Sequence, residues 1–143
     1  MTVVVDANTT LASVLPLPYS AAADRRADDW RAQQAVIAAP ALWTYVLITG
    51  LRRALGLGLI EPEQLEVALA LVEELDLELI FPTAALNRLA LDWADRLHQS
   101  KAYDGPYLAV AEQLRAEFWT ADERLVRSLT EQGVQWVHWI GED

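Results

Sequence analysis

Asp6, Asp104 and Asp122 fall where the residue pattern turns from one element into a helix. Asp6 closes Val3-Val4-Val5-Asp6-Ala7-Asn8. Its three β-branched residues read as a short strand buried on both faces, the pattern of a central strand in a parallel sheet. Ligands of open α/β sheets bind at the carboxyl ends of the strands, so Asp6 is expected at that rim. Asp104 sits at the expected start of a helix, and Asp122 follows Phe118-Trp119-Thr120 in the first turn of another. Each acid also has a purely local role available, because Asp is a favoured cap and acids in a first turn complement the helix dipole. Thr120 and Glu123 match a capping box. If the three converge, their mutual repulsion calls for a hard cation such as Mg²⁺ or Mn²⁺. The chemistry that fits is metal-assisted attack of water on a phosphodiester. Spacing alone leaves site and caps both open.

The elements that must position these acids follow in order. Thr9 to Ser20, punctuated by Pro16 and Pro18, reads as a short helical or turn segment ending in a loop. Ala21 to Ala35 reads as a helix with a solvated, mixed-charge face. After a break at Pro40, Ala41 to Leu55 is a strongly apolar helix ended by Gly56 and Gly58. Pro62 opens a helix to about Leu75, and Leu77 to Phe81 is predicted as the second strand. A helix from Pro82-Thr83 to His98, a connector Ser100 to Tyr103 and a helix Asp104 to Arg115 come next. Glu117 to Thr120 reads as a strand, followed by a helix closed by Gly133 and a last strand, Gln135 to Ile140. Strands alternating with helices predict a parallel or mostly parallel α/β sheet.

The 143 residues suggest one domain spanning 1–143. With 53% hydrophobic and 22% charged residues, the chain is globular in character. A formal net charge of −10 argues against a general DNA-coating protein and leaves nucleic-acid binding to a local basic patch or to metal ions. Cysteine is absent, so there is no disulfide framework or thiolate chemistry. That suits a cytoplasmic location, as does a start without a basic n-region and long apolar run. The apolar stretch around Ala35 to Ile48 is interrupted by Pro40 and Thr44, too broken for a membrane span.

The order Val-Val-Val-Asp-Ala at the start, Ala-Pro-Ala-Leu-Trp near residue 40, Ala102 to Glu112 and Thr120 to Leu125 resembles the PIN domain, most of all the VapC-type toxins of bacterial toxin–antitoxin pairs. The resemblance covers nearly the whole chain. It implies a three-layer α/β/α sandwich around a mostly parallel sheet. It also implies a Mg²⁺- or Mn²⁺-dependent endoribonuclease, a homodimer and a small antitoxin partner. Of the family's four acids, the first, third and fourth match Asp6, Asp104 and Asp122, which the resemblance implies are the catalytic acids: Asp6 and Asp104 as metal ligands, Asp122 as a ligand or the residue that positions the attacking water. Asn8 stands where the family often has a small hydroxyl residue near the metal. Thr120 corresponds to the hydroxyl beside the fourth acid.

The chain departs from the family at the second acid. The pattern places a Glu where this chain has Val46, and no Asp or Glu occurs between Trp30 and Ile60. The site is thus one ligand and about one unit of negative charge short. Mg²⁺ keeps several waters, so three acids could still hold one ion, whereas a two-metal arrangement is less well supplied. Gly105-Pro106 replaces the usual small helix formers, with little distortion expected because Pro is tolerated in a first turn.

Arg25, Arg26, Arg31, Arg52 and Arg53 are candidates for RNA phosphate contacts, against the default of solvated charge. Arg52 and Arg53 have the better claim because they share a helix with Val46. Most of the six tryptophans lie on apolar faces, where packing is the default, although Trp30 or Trp43 could stack a base. His98 and His138 lack partners at ligand spacing. Leu51, Leu55, Leu57, Leu59 and Ile60 form either core or a docking surface. The alternative to an enzyme is a PIN fold that has lost catalysis at Val46 and acts as an RNA-binding or protein-interaction module. A phosphotransfer protein with Asp6 as nucleophile is weaker, because Asn8 is no second carboxylate and Lys101 is the one lysine.

Overall fold

The computed structural model describes residues 1–142, which leaves Asp143, the end of the expected 1–143 span, outside the described residues. Five strands, β1 (Thr2–Val5), β2 (Val36–Pro40), β3 (Leu77–Ile80), β4 (Glu117–Thr120) and β5 (Val137–Trp139), form one sheet. Their order is β3-β2-β1-β4-β5, and every neighbouring pair is parallel. β1 is central, with Val4 opposite Ala38 on one side and Phe118 on the other. Its β-branched run is therefore buried on both faces, as a central parallel strand requires.

β2 corrects the sequence reading, which passed over Val36 to Pro40 and numbered Leu77 to Phe81 second. Ala38-Ala39-Pro40 has weak strand propensity, but strand formation depends more on context than on intrinsic preference. Here β1 and β3 pair with it from both sides, and Ala38 and Ala39 are fully buried. Pro40, which has no N–H to donate, stands at the strand's last position.

The helices are α1 (Ala7–Val14), α2 (Ser20–Ala32), α3 (Leu42–Gly56), α4 (Pro62–Glu73), α5 (Ala84–Arg96), α6 (Gly105–Leu114) and α7 (Glu123–Glu131). The first begins two residues before the expected segment and stops at Val14, leaving Leu15 to Tyr19 as the loop. Alternate side chains of a strand point to opposite faces, so the sheet carries two cores. Val4, Ala38, Phe118 and Val137 pack with Leu86 of α5, Leu108 of α6 and Leu129 of α7. Val3, Val5 and Trp119 pack with Ala23 and Trp30 of α2. No helix among the described residues is long and apolar enough to cross a membrane.

Two local devices set how the chain leaves and enters its helices. α2, α5 and α6 each end on a non-glycine residue in the left-handed region: Gln34, His98 and Arg115, at φ 54, 54 and 52°. In each, the next amide reaches back to a carbonyl five residues earlier, as Gln99 N–H does to Ala94 at 2.9 Å, which closes the helix. The second device is Gly105 at the start of α6, where a Cβ would stand 2.4 Å from the Ala90 carbonyl oxygen of α5. Backbone meets backbone there, so the lack of a side chain lets α6 seat against α5. Pro106 follows in the first turn without disturbing the helix, as expected.

Gly105→Ala is expected to lower stability by about 1–3 kcal/mol through overpacking, read from the denaturant midpoint. Exposed Arg115 behaves oppositely. Arg115→Gly relieves a left-handed backbone and is expected to raise stability by up to about 1 kcal/mol, read as a higher midpoint.

Candidate functional site

The chain starts in the middle of the sheet, builds outward through β2 and β3, then crosses back to add β4 and β5 on the other side. The order reverses between β1 and β4, and the crevice at their carboxyl ends is where such sheets take ligands. Asp6 follows β1, and Thr120 to Asp122 follow β4 at that point.

Asp6 is buried and held from several directions. Its Oδ1 accepts the Thr9 amide at 2.7 Å. Its Oδ2 accepts the Thr120 hydroxyl at 2.5 Å and the Ala121 amide at 3.3 Å. The Thr120 hydroxyl, which is 1% exposed, also accepts the Asp122 amide at 3.0 Å. One carboxylate thus ties the start of α1 to the end of β4 and the approach to α7. Burial raises the Asp6 pKa, and the hydroxyl and amide bonds, Thr120 first, oppose that rise.

All three acids are helix N-caps, but they are not alike. Asp6 caps α1 through Thr9, and Asp122 caps α7 by accepting the Leu125 amide at 3.1 Å. The capping-box reading is thereby corrected: Asp122 is the cap and Thr120 serves Asp6 instead, because its hydroxyl is drawn into the buried cluster. Asp104 stands at the N-cap of α6 and makes no capping bond. Its Oδ2 accepts the Gln99 amide at 2.8 Å. Burial raises its pKa, the Gln99 bond lowers it, and the nearby Asp122 charge raises it further. The local explanation therefore accounts for two of the acids and leaves Asp104 without one. The second oxygens of Asp104 and Asp122 carry no hydrogen bond among the described residues. Three helix N-termini meet at this edge, and their positive dipole ends moderate the repulsion among the carboxylates.

Sequence reasoning missed two residues here. Tyr107 lies one turn after Asp104 in α6, on the same side of the helix. Its ring stacks on Phe118, centroids 5.7 Å apart. Burial pushes its phenol pKa up, the charges of Asp6 and then Asp104 add to that, and the Ala7 backbone opposes it. Spacing from Asp104 could have flagged it. Gln99 has no such signal, because it lies outside any periodic element and is aimed by the left-handed turn at His98.

The remaining candidates divide. Asn8 is exposed in the first turn of α1, beside Asp6. Val46 is half-buried on α3 and packs against the core. Three residues earlier, Trp43 donates its indole N–H to Thr10 at 3.1 Å, and four residues later Gly50 abuts Leu11, so this face of α3 lies on α1. Arg52 and Arg53 are exposed near the end of α3, and no ion pair joins either to the three acids. Arg26 lies over the Trp119 ring at 4.3 Å, and Arg31 pairs with Asp28 at 2.6 Å, which are packing and surface roles. Trp30 and Trp43 are core residues and present no face for stacking. Of the apolar cluster, Leu51 and Ile60 are core while Leu57 and Leu59 are exposed. Among the described residues, no three His, Cys, Asp or Glu side chains stand close enough to hold a metal ion directly.

A raised carboxyl pKa means the fold favours the protonated acid, so stability falls as pH rises from the ordinary range through the folded value. In chelator, Asp104→Asn is expected to raise the melting temperature at pH 7. The gain should vanish below pH 3.8, the ordinary value, where both states are protonated. Thermal melts across that range check it.

No protein-family model matches the sequence, and no curated protein matches it. Two solved structures share its architecture. One is VapBC2 from Rickettsia felis, bound to a DNA fragment from their promoter. A chain of it is 13% identical at a TM-score of 0.67, covering 97% of this chain and 98% of that one. The other is PAE2754 from Pyrobaculum aerophilum, 20% identical at a TM-score of 0.61, covering 90% of this chain and 79% of that one. At such identities the likeness is one of fold, and the fold is PIN-like: a parallel five-stranded sheet flanked by helices.

Proposed function

We propose that the chain is a Mg²⁺- or Mn²⁺-dependent endoribonuclease of the VapC-like PIN type, hydrolysing RNA phosphodiesters at the edge formed by Asp6, Asp104 and Asp122. The observation that carries this reading is Asp104: a partly buried carboxylate that caps nothing, beside a second acid, at the switch point of a PIN-like sheet. Its charge is unfavourable for the apo fold, and a bound cation would reverse that.

The donor set suits a hard cation through oxygen. Mg²⁺ is usually held by one or two carboxylates and keeps its waters, which agrees with the lack of a three-carboxylate cluster. Asp104 and Asp122 would supply the ligands through their second oxygens. Asp6 fixes their spacing, and its Oδ1, which carries one hydrogen bond, keeps acceptor capacity to join them as a ligand. The cation supplies water activation and offsets charge at the phosphorus. The N-termini of α1, α6 and α7 favour a phosphate at the same edge. Arg52 and Arg53 would contact RNA farther along α3, and Asn8 and Thr120 would line the acidic edge.

The likeness to VapBC2 supports a small antitoxin partner, the resemblance to VapC-type toxins supports a homodimer, and a cysteine-free chain suits a cytoplasmic role. Exposed Tyr45 and Ile48 on α3 and Val67 and Leu71 on α4 give a protein partner apolar surface. A second reading, a catalytically degenerate PIN module that binds RNA or protein, is favoured by one observation: Val46 supplies no acid where the family has one.

Cleavage of single-stranded RNA with Mg²⁺ or Mn²⁺ separates the two. The enzyme reading expects activity in the unaltered protein that Asp104→Asn reduces by 10²-fold or more, about 3 kcal/mol of barrier. Activity appearing only in Val46→Glu establishes the degenerate module instead.

A further inference from the structure

Two buried side-chain polar atoms among the described residues have no hydrogen-bond partner, the Gln99 Oε1 and the Tyr107 hydroxyl. The first is on the side chain that bonds Asp104; the second lies near the Ala7 backbone and feels the charge of Asp6 and, less strongly, that of Asp104. Gln99 gives its amide N–H to Asp104 at 2.8 Å, which leaves its carbonyl oxygen for another partner. Tyr107 is 5% exposed, one turn from Asp104, with its ring fixed on Phe118. A buried polar group left unpaired is unfavourable, and native proteins rarely retain one without a reason. Retaining two along the acidic edge of Asp6 and Asp104 is a property of the site.

Both orphan atoms can accept a hydrogen bond. A divalent cation bound through one or two carboxylates keeps waters whose protons need acceptors, and residues beyond the direct ligands commonly supply them. Resting on the metal-dependent reading above, we propose that Gln99 and Tyr107 are positioning residues for a hydrated divalent cation at Asp104. The Gln99 carbonyl and the Tyr107 oxygen accept hydrogen bonds from its hydration shell. Gln99 then has two tasks: its N–H orients the Asp104 carboxylate and its C=O receives the water. The chain would hold the ion with fewer carboxylates than the family pattern, through its waters.

The test is Mn²⁺ binding by electron paramagnetic resonance on the full chain, together with melting in chelator. Tyr107→Phe removes one oxygen and leaves the stacked ring. It is expected to melt in chelator at the same temperature or higher, because an unpaired group is gone, yet to bind Mn²⁺ about tenfold more weakly. Gln99→Met, which keeps the length but offers neither donor nor acceptor, is expected to weaken Mn²⁺ comparably. A merely structural role moves the chelator melt without moving Mn²⁺ affinity. Unchanged affinity in both variants, with Asp104→Asn still losing the ion, overturns this proposal and leaves the metal-dependent reading standing. An unaltered protein that binds no Mn²⁺ overturns both.

Discussion

The carboxylate of Asp6 is the fixed point of the molecule. It lies at the end of the central strand, and its bonds run to α1, to Thr120 at the end of β4 and to the backbone leading into α7. A buried ionised group is tolerable only with such partners, and breaking a buried charge network by removing one member is strongly destabilising. The same bonds fix its place. Asp6 is the acid most firmly built into the fold, and it sets where Asp122 and Asp104 stand.

That distinction changes the meaning of a row of acids at a sheet edge. All three occupy N-cap positions, where a carboxylate has a structural reason to be. Asp122 shows that one side chain can do both things, capping with one oxygen and leaving the other outward. Asp104 has the position of a cap without the bond, and it is held by Gln99 from a different segment. An acid kept partly buried, near a like charge and relieved of local duty, is the arrangement expected where stability has been given up for a site.

Much of the fold was legible because its signals are local. Val3-Val4-Val5, the glycines after α3, Pro62 at the start of α4 and the helix caps act over a few residues. β2 was missed because Ala38-Ala39-Pro40 carries almost no strand preference and becomes a strand only through partners on both sides. The site was legible to the extent that it uses charged residues at element boundaries. Thr120 was assigned to the wrong partner, since a capping box and a bond to a residue 114 positions away look the same in sequence. Gln99 was invisible, because its aim depends on a single left-handed backbone angle at His98.

The central place of β1 has a consequence for the order in which a ribosome releases the chain. β1 is flanked in the finished sheet by β2 and by β4, and the residues of β4 lie more than a hundred positions later. Until Phe118 to Thr120 emerge, one edge of β1 has no partner, and Asp6 has neither the hydroxyl nor the amide that compensates its charge. Pairing over such separations also comes late in folding, after the entropy of closing a long loop. The acidic edge accordingly comes into being only once β4 has emerged. A chain cut before β4 has six helices and three of the five strands, but no site.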